Sequence, residues 1–229
     1  MKDFSIEKYF VVGPENTGGR PVLPIIRAAV EAGFTFLQIR SKTASARELI
    51  ALLEDTSRLL QEMGKSDSVA LVADDRLDVV LAARERGAKV DGIHVGQSDI
   101  YPEICRKYLG DDAIVGLSAP TGDLVHYIEK GDFSQIDYFG AGPLHPTDTK
   151  RDCELDAEGN LIVRTLDELT HLAEISPLRV TVGGGVKAED LEALAATGIH
   201  GFFVVSAVAG ADDPGAAARE LVEIWDHAR

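Results

Sequence analysis

Gln38, Arg40 and Lys42 alternate through Gln38-Ile39-Arg40-Ser41-Lys42, so in extended backbone they share one face. An amide, a guanidinium and an ammonium on one face suit a polyphosphate: Arg donates in a bidentate fork and Lys acts as a mobile point charge. The same residues would also make an ordinary solvated basic loop opening a helix. Asp74-Asp75 and the segment His94-Val95-Gly96-Gln97-Ser98-Asp99 supply carboxylates. Two carboxylates at neighbouring strand ends can share a hard cation, because Mg²⁺ takes one or two of them with waters and phosphate oxygens. Asp75 reads as an acidic residue of the following helix's first turn. Asp74, nearer the strand, is therefore the better ligand to pair with Asp99, which could equally cap the helix near Pro102. His94 reads as a satisfied core histidine.

Four further segments carry polar groups. Ser118-Ala119-Pro120-Thr121 offers hydroxyls. Gly140-Ala141-Gly142-Pro143-Leu144-His145-Pro146-Thr147-Asp148-Thr149-Lys150 is a stiff loop with two threonines and a lysine. Gly183-Gly184-Gly185-Val186 and Val205-Ser206-Ala207-Val208 offer bare backbone. Backbone N–H groups at a turn or a helix start bind phosphate without any lysine.

Positioning such groups together requires a repeating scaffold, and the chain has one. Short apolar runs read as strands at Tyr9–Val12, Phe34–Ile39, Val69–Val72, Gly92–Val95, Ile114–Gly116, Tyr138–Gly140, Val180–Val182 and Gly201–Val205. They lack clean alternation, as parallel strands buried on both faces do. Helical patterns separate them, at Pro24–Ala32, Ser45–Met63, Arg76–Arg86, Pro102–Tyr108, Thr121–Glu129, Thr165–Ile175, Lys187–Ala196 and Gly215–Asp226. Several stop at glycine, including Gly33, Gly64 and Gly87. Eight strands alternating with eight helices predict a (β/α)8 barrel, a TIM barrel, as one domain over residues 1–229. A doubly wound sheet is the alternative, but no G-x-G-x-x-G follows the first strand. Active sites of such barrels lie at strand C-termini, and phosphate often binds after strands seven and eight. All the segments above fall at such ends. Arg151–Val163 is a long polar excursion that reads as a hairpin or lid.

Composition narrows the partners. The 229 residues carry 23 Lys+Arg against 38 Asp+Glu, a net charge of −15, which argues against nucleic acid or an anionic membrane as partner. No apolar run approaches a membrane span. Met1–Tyr9 lacks the apolar core of a secretory signal. Cys105 and Cys153 have no metal-ligand spacing and read as free thiols, so a cytoplasmic protein is expected. The chain ends in an amphipathic helix, with no second module expected. A homo-oligomer is left open.

Taken in order, these segments resemble the thiamine phosphate synthase family, also called thiamine-phosphate pyrophosphorylase, from Tyr9 to about Pro214. The landmarks are Gln38-Ile39-Arg40-Ser41-Lys42, Asp74-Asp75, Gly92 to Asp99, Gly116-Leu117-Ser118-Ala119, Gly142 to Lys150, Gly184-Gly185-Val186 and Val205-Ser206-Ala207. The resemblance implies a transferase that condenses hydroxymethylpyrimidine pyrophosphate with a thiazole phosphate, releasing pyrophosphate. It implies Mg²⁺ on Asp74 and Asp99. Arg40, Lys42 and Lys150 would hold the pyrophosphate, with Ser118 donating to it and Gln38 beside the pyrimidine. Thr147 and Thr149 would contact the thiazole phosphate region, the phosphate resting on Gly184, Gly185, Val205 and Ser206. Lys42, Ser118 and Lys150 are the implied catalytic residues.

Four positions depart from the family pattern. Ala73 stands where an Asn usually precedes the first metal aspartate, which implies a lost amide near the pyrophosphate and pyrimidine. Ser41 and Ser98 replace acidic residues, and Pro120 replaces a histidine. Two competing readings follow: a thiazole tautomerase of the same superfamily, and a non-catalytic barrel that binds thiamine intermediates. Ala73 alone favours the second.

Overall fold

The computed structural model of the chain describes residues 4–120, 122, 124–147 and 161–229. Its strands are β1 (Lys8–Val12), β2 (Phe36–Ile39), β3 (Ala70–Asp74), β4 (Gly92–Val95), β5 (Ile114–Ser118), β6 (Tyr138–Ala141), β7 (Arg179–Val182) and β8 (Gly201–Val204). All pair in parallel with their sequence neighbours, and β1 closes on β8. The sheet is thus a closed barrel rather than a doubly wound sheet.

The helices are α1 (Val22–Ala32), α2 (Ala46–Glu62), α3 (Leu77–Glu85), α4 (Pro102–Leu109), α5 (Leu124–Lys130), α6 (Leu166–Ile175), α7 (Leu191–Ala196), α8 (Ser206–Ala209) and α9 (Pro214–Ala228). Local chemistry sets their ends. Ser45 accepts from the Glu48 amide while Glu48 reaches back to Ser45, a capping box that starts α2. Gly33 at φ 117° ends α1 in the left-handed region, where a side chain would be strained.

Two apolar layers result from strand alternation. Tyr9, Val11, Phe36, Val72, Ile114 and Tyr138 fill the barrel, closed below by Phe4 and Ile6. Leu37, Ile39, Ala73, Ile93, Val95 and Phe139 face outward against the helices. Cys105 is a buried free thiol whose pKa burial pushes up to about 11. Cys153 lies outside the described residues. No helix among the described residues is long and apolar enough to cross a membrane.

Three differences from the sequence reading matter for the site. β3 and β5 end two residues later than expected, in polar residues, Asp74 and Ser118. Hydrophobicity alone misses such ends because the last strand residues face the cavity. The seventh helical segment divides into a 3₁₀ turn, Ala188–Asp190, and α7. The short helix α8, unforeseen because it spans only four residues, follows β8 directly.

Candidate active site

One cavity of about 360 Å³ opens at the C-terminal ends of the strands. Its lining includes Gln38, Arg40, Lys42, Asp74, Asp99, Ser118, Thr147, Gly184, Gly185, Val205 and Ser206, together with Asp75, His94, Ser98 and Pro120. The remaining expected residues, Thr149 and Lys150, lie outside the described residues, as do residues 151–160 of the excursion.

The edge above β2, β3 and β4 is charged. Arg40 Nε stands 3.2 Å from Asp74 Oδ2, and Lys42 Nζ lies 2.5 Å from Asp75 Oδ2 and 3.7 Å from Asp74 Oδ2. Asp75 occupies the left-handed region at φ 58°, a conformation that Asp tolerates better than most residues. Its amide donates to the His94 carbonyl at 2.8 Å. Asp99 is held by the Gly96 amide at 2.9 Å. Asp75 is close enough to both Asp74 and Asp99 to affect the ionisation of each. Burial, then the negative charge of Asp75, drives the Asp74 pKa well above the carboxylate range, and Arg40 and Lys42 only partly oppose this. Burial acts upward on Asp75 too, but the hydrogen bonds from Lys42 and Asp99 outweigh it and lower its pKa. Burial and the Asp75 bond raise Asp99. Of the three carboxylates, Asp75 is the one whose ionised form is favoured.

This arrangement revises the reading of positions 73–75. Ala73 pairs with Ile39 and Ile93 in the outward phase of the sheet and belongs to the helix-facing apolar layer. It faces away from the cavity, so an amide there would not reach a ligand in it. The cavity-facing strand residue beside Gln38 is Asp74, and the residue that bridges toward Asp99 is Asp75. Asp74 and Asp99, expected to share a metal, both line the cavity, and Asp75 lies there with them.

A chain of hydrogen bonds crosses the barrel below this edge. Gln38 Nε2 donates to Asp74 Oδ1. Gln38 Oε1 therefore faces Tyr9, whose hydroxyl donates to it at 2.6 Å. With its proton so committed, Tyr9 accepts from the Tyr138 hydroxyl at 3.0 Å. Tyr138 in turn accepts from His94 Nδ1 at 2.9 Å. His94 Nε2 is then the acceptor for the Ser118 hydroxyl at 3.0 Å. Burial raises the pKa of both tyrosines, so they are neutral hydroxyls. The chain gives His94 one tautomer and directs the Ser118 proton into the barrel.

The opposite edge, after β7 and β8, is made of backbone. Gly184 and Gly185 have φ of 82° and 77°. A Cβ on Gly184 would lie 2.7 Å from Pro143 Cβ, and one on Gly185 would lie 2.9 Å from His145 Cβ. These glycines therefore let the loop after β6 close onto the loop after β7. The Leu144 and His145 amides each donate to the Gly184 carbonyl at 3.0 Å. His145 Nε2 lies 2.9 Å from Asp190 Oδ1, which ties the same loop to the turn before α7.

Comparison with known proteins agrees with this geometry. The thiamine monophosphate synthase family model matches residues 8–208. The chain belongs to the thiamine monophosphate synthase family. It is 37% identical over 216 residues to a thiamine-phosphate synthase of Corynebacterium efficiens, covering 93% of this chain and 92% of that protein. A thiamine-phosphate synthase of Natronomonas pharaonis is 34% identical, covering 97% of this chain and 95% of that protein. Among solved structures, a thiamine phosphate pyrophosphorylase from Pyrococcus furiosus superposes with a TM-score of 0.76 at 28% identity, covering 96% of each chain.

For a member of this family, the implied group is Mg²⁺, and the residues present fit it. Asp75 and Asp99 offer hard oxygen ligands at neighbouring strand ends, with Asp74 adjoining. No group of three or more His, Cys, Asp or Glu among the described residues is arranged to enclose a metal. An open edge of two carboxylates is the form Mg²⁺ takes when substrate phosphates and waters complete its shell.

Sequence reasoning missed several members of the site. Tyr9 and Tyr138 read only as apolar strand residues. Their inward phase follows from the period-2 pattern shared with Val11 and Gly140, but their hydroxyl partners do not. Asp75 was read as a helix-start residue, whereas its left-handed backbone turns it back over the cavity.

Proposed function

We propose that this cavity condenses 4-amino-2-methyl-5-hydroxymethylpyrimidine pyrophosphate with 4-methyl-5-(2-phosphooxyethyl)thiazole to give thiamine phosphate and pyrophosphate, a transferase reaction of thiamine biosynthesis in keeping with its family. One observation carries the assignment of substrates to the cavity: two unlike edges, one of charged side chains and one of backbone, border a single cavity of about 360 Å³. The cationic edge, Arg40 and Lys42, suits a pyrophosphate that gains charge. The backbone edge, Gly184, Gly185, Val205 and Ser206, suits a phosphate that only needs holding.

The chemistry follows from that division. The bond between the pyrimidine methylene and the pyrophosphate oxygen breaks, and its electron pair leaves with pyrophosphate. The aminopyrimidine delocalises the resulting cation. The thiazole nitrogen then donates its lone pair to the methylene carbon. No covalent enzyme intermediate is required. Arg40 and Lys42, with Lys150 from the loop after β6, stabilise negative charge where it grows. Gln38, fixed between Tyr9 and Asp74, lies beside the pyrimidine. Ser118 donates to the pyrophosphate once its hydroxyl turns from His94 Nε2 toward the substrate. Thr147 and Thr149 flank the thiazole phosphate. Asp75 and Asp99 would hold Mg²⁺, with Lys42 paired to Asp75 and Arg40 to Asp74. When bound, Mg²⁺ neutralises charge on the departing pyrophosphate. Both substrates are multiply charged and cross no bilayer unaided, so we place the reaction in the cytoplasm.

No observation favours the non-catalytic reading, since Ala73, its only support, faces the helices. The test is pyrophosphate release measured with each component omitted in turn. Release should require both substrates and Mg²⁺. Isomerisation of a thiazole carboxylate phosphate with no pyrophosphate release would overturn the assignment in favour of a tautomerase.

A further inference from the structure

Glu15 lies outside the cavity lining, on the 3₁₀ turn Pro14–Asn16 that follows β1. The chain reaches this turn through Gly13, where a Cβ would collide with the Arg40 carbonyl oxygen. Glycine therefore lets the end of β1 press against the end of β2. Glu15 is thereby brought over the loop that carries Lys42.

There a single carboxylate oxygen collects four donors. Glu15 Oε1 accepts from Ser41 Oγ at 2.5 Å, from the Lys42 amide at 2.9 Å, from the Thr43 amide at 3.1 Å and from Thr43 Oγ1 at 2.8 Å. Ser41 Oγ then accepts from the Ala44 amide at 2.9 Å, which extends the grip to the start of α2. Partial burial disfavours the charge on Glu15, but the bonds from Ser41 and Thr43 outweigh it and hold the carboxyl down at about 2. The Lys42 backbone is fixed on one side by Glu15, while its ammonium extends the other way to Asp75 and Asp74. A lysine side chain that is about half exposed gains little order from surface ion pairs alone, so the backbone anchor decides where its reach begins.

We propose that Glu15 is a positioning residue for Lys42: it locks the 41–43 backbone so that the ammonium stands at the pyrophosphate edge. This rests on the reading of Lys42 as a pyrophosphate ligand. It concerns a carboxylate that touches neither substrate.

The test is a double-mutant cycle with Lys42, read as separate KM values for the two substrates. Glu15→Ala should raise the KM for the pyrimidine pyrophosphate about tenfold, the loss of charge-assisted hydrogen bonds to one group. The thiazole KM should be unchanged. Glu15→Gln keeps the accepting Oε1 and should recover most of the loss. In a Lys42→Ala background the Glu15→Ala substitution should add little. An equal penalty in both backgrounds, or equal shifts in both KM values, would overturn the inference while leaving the pyrophosphate reading intact. A fully active Lys42→Ala enzyme would overturn both. If Glu15→Ala folds poorly, Ser41→Ala combined with Thr43→Val removes two of the four donors from the other side. A KM rise confined to the pyrimidine substrate then supports the role of Glu15, and no change in that KM overturns it.

Discussion

On the proposed reaction, the two edges of the cavity meet one demand, holding a phosphorus anion, by opposite means. Above β2, β3 and β4 the work is done by side chains: Arg40, Lys42, Asp74, Asp75 and Asp99, crowded enough to drive neighbouring aspartates in opposite directions. After β7 and β8 it is done by backbone, shaped by two glycines at positive φ and by the loop after β6 that packs on them. A side-chain edge can follow charge as it develops, and substitutions there act on turnover. A backbone edge holds constant charge, and substitutions there act by distorting the loop. This contrast suits a reaction in which one substrate loses pyrophosphate and the other keeps its phosphate.

The largest expected effect lies on the side-chain edge. Asp75→Asn should lower turnover by about 10²-fold or more, the loss of a few kcal/mol of transition-state stabilisation. Asp74→Asn should cost only about tenfold, because burial already favours the neutral form of that group. Turnover against Mg²⁺ concentration for both variants checks this. A reversed order would restore Asp74 as the direct partner of Asp99.

On the backbone edge, Gly184→Val should raise the thiazole phosphate KM by about tenfold and destabilise the fold by about 1–3 kcal/mol, the cost of a non-glycine residue held at positive φ. The clash falls on Pro143, so the damage reaches the phosphate through the loop after β6. Equal effects on the two KM values would show that the edges are not separate.

Much of this contrast was legible in the sequence, and the illegible part has a consistent cause. The eight βα units were readable because buried parallel strands are short apolar runs and glycine stops the helices between them. The polar triplet was readable because period-2 alternation puts Gln38, Arg40 and Lys42 in phase. Orientation at positions 73–75 was not, since the apolar run Val69–Val72 does not show that the strand, and with it the alternation, continues to Asp74. Phase fixed by the pairing of Val72 with Gly92 and Gln38 places Asp74 inside and Ala73 outside. The Tyr9–Tyr138–His94 chain joins β1, β6 and β4, and such a contact becomes visible only once the barrel closes.

Ala73→Asn tests that phase directly. It buries an amide in the helix-facing layer, at a cost of about 1–3 kcal/mol for unpaired polar atoms. The melting temperature should fall by about 2–4 °C for each kcal/mol, with both KM values unchanged. A lower pyrimidine KM would mean that position 73 reaches the cavity after all.

Tyr138→Phe separates the site from its support. It removes the acceptor of His94 Nδ1 and the donor to Tyr9, both inside the barrel. Turnover should fall about tenfold, equivalent to one hydrogen bond, with little change in either KM. The ¹⁵N shifts of His94 should show loss of the single Nδ1-protonated tautomer. An unchanged tautomer would mean that Ser118, rather than the tyrosine chain, sets it.

The smallest expected effect comes from salt, and it tests whether the two edges differ in charge as well as in construction. Screening shortens from about 10 Å at 0.1 M to about 3 Å at 1 M ionic strength. If the pyrimidine pyrophosphate meets the cations of the proposed edge, Lys42 foremost, its KM should rise about threefold over that range as screening weakens them. If the thiazole phosphate rests on neutral backbone donors as proposed, salt barely reaches them and its KM should hold steady. A rival force acts in the other direction: the net charge of −15 repels both anionic substrates, and salt would relieve that repulsion for each alike. If both KM values fall together, the field of the whole molecule outweighs the local edge, and the division between the edges is one of shape alone. If only the pyrimidine KM rises, the local cations dominate, and the side-chain edge is the part of the cavity that supplies charge.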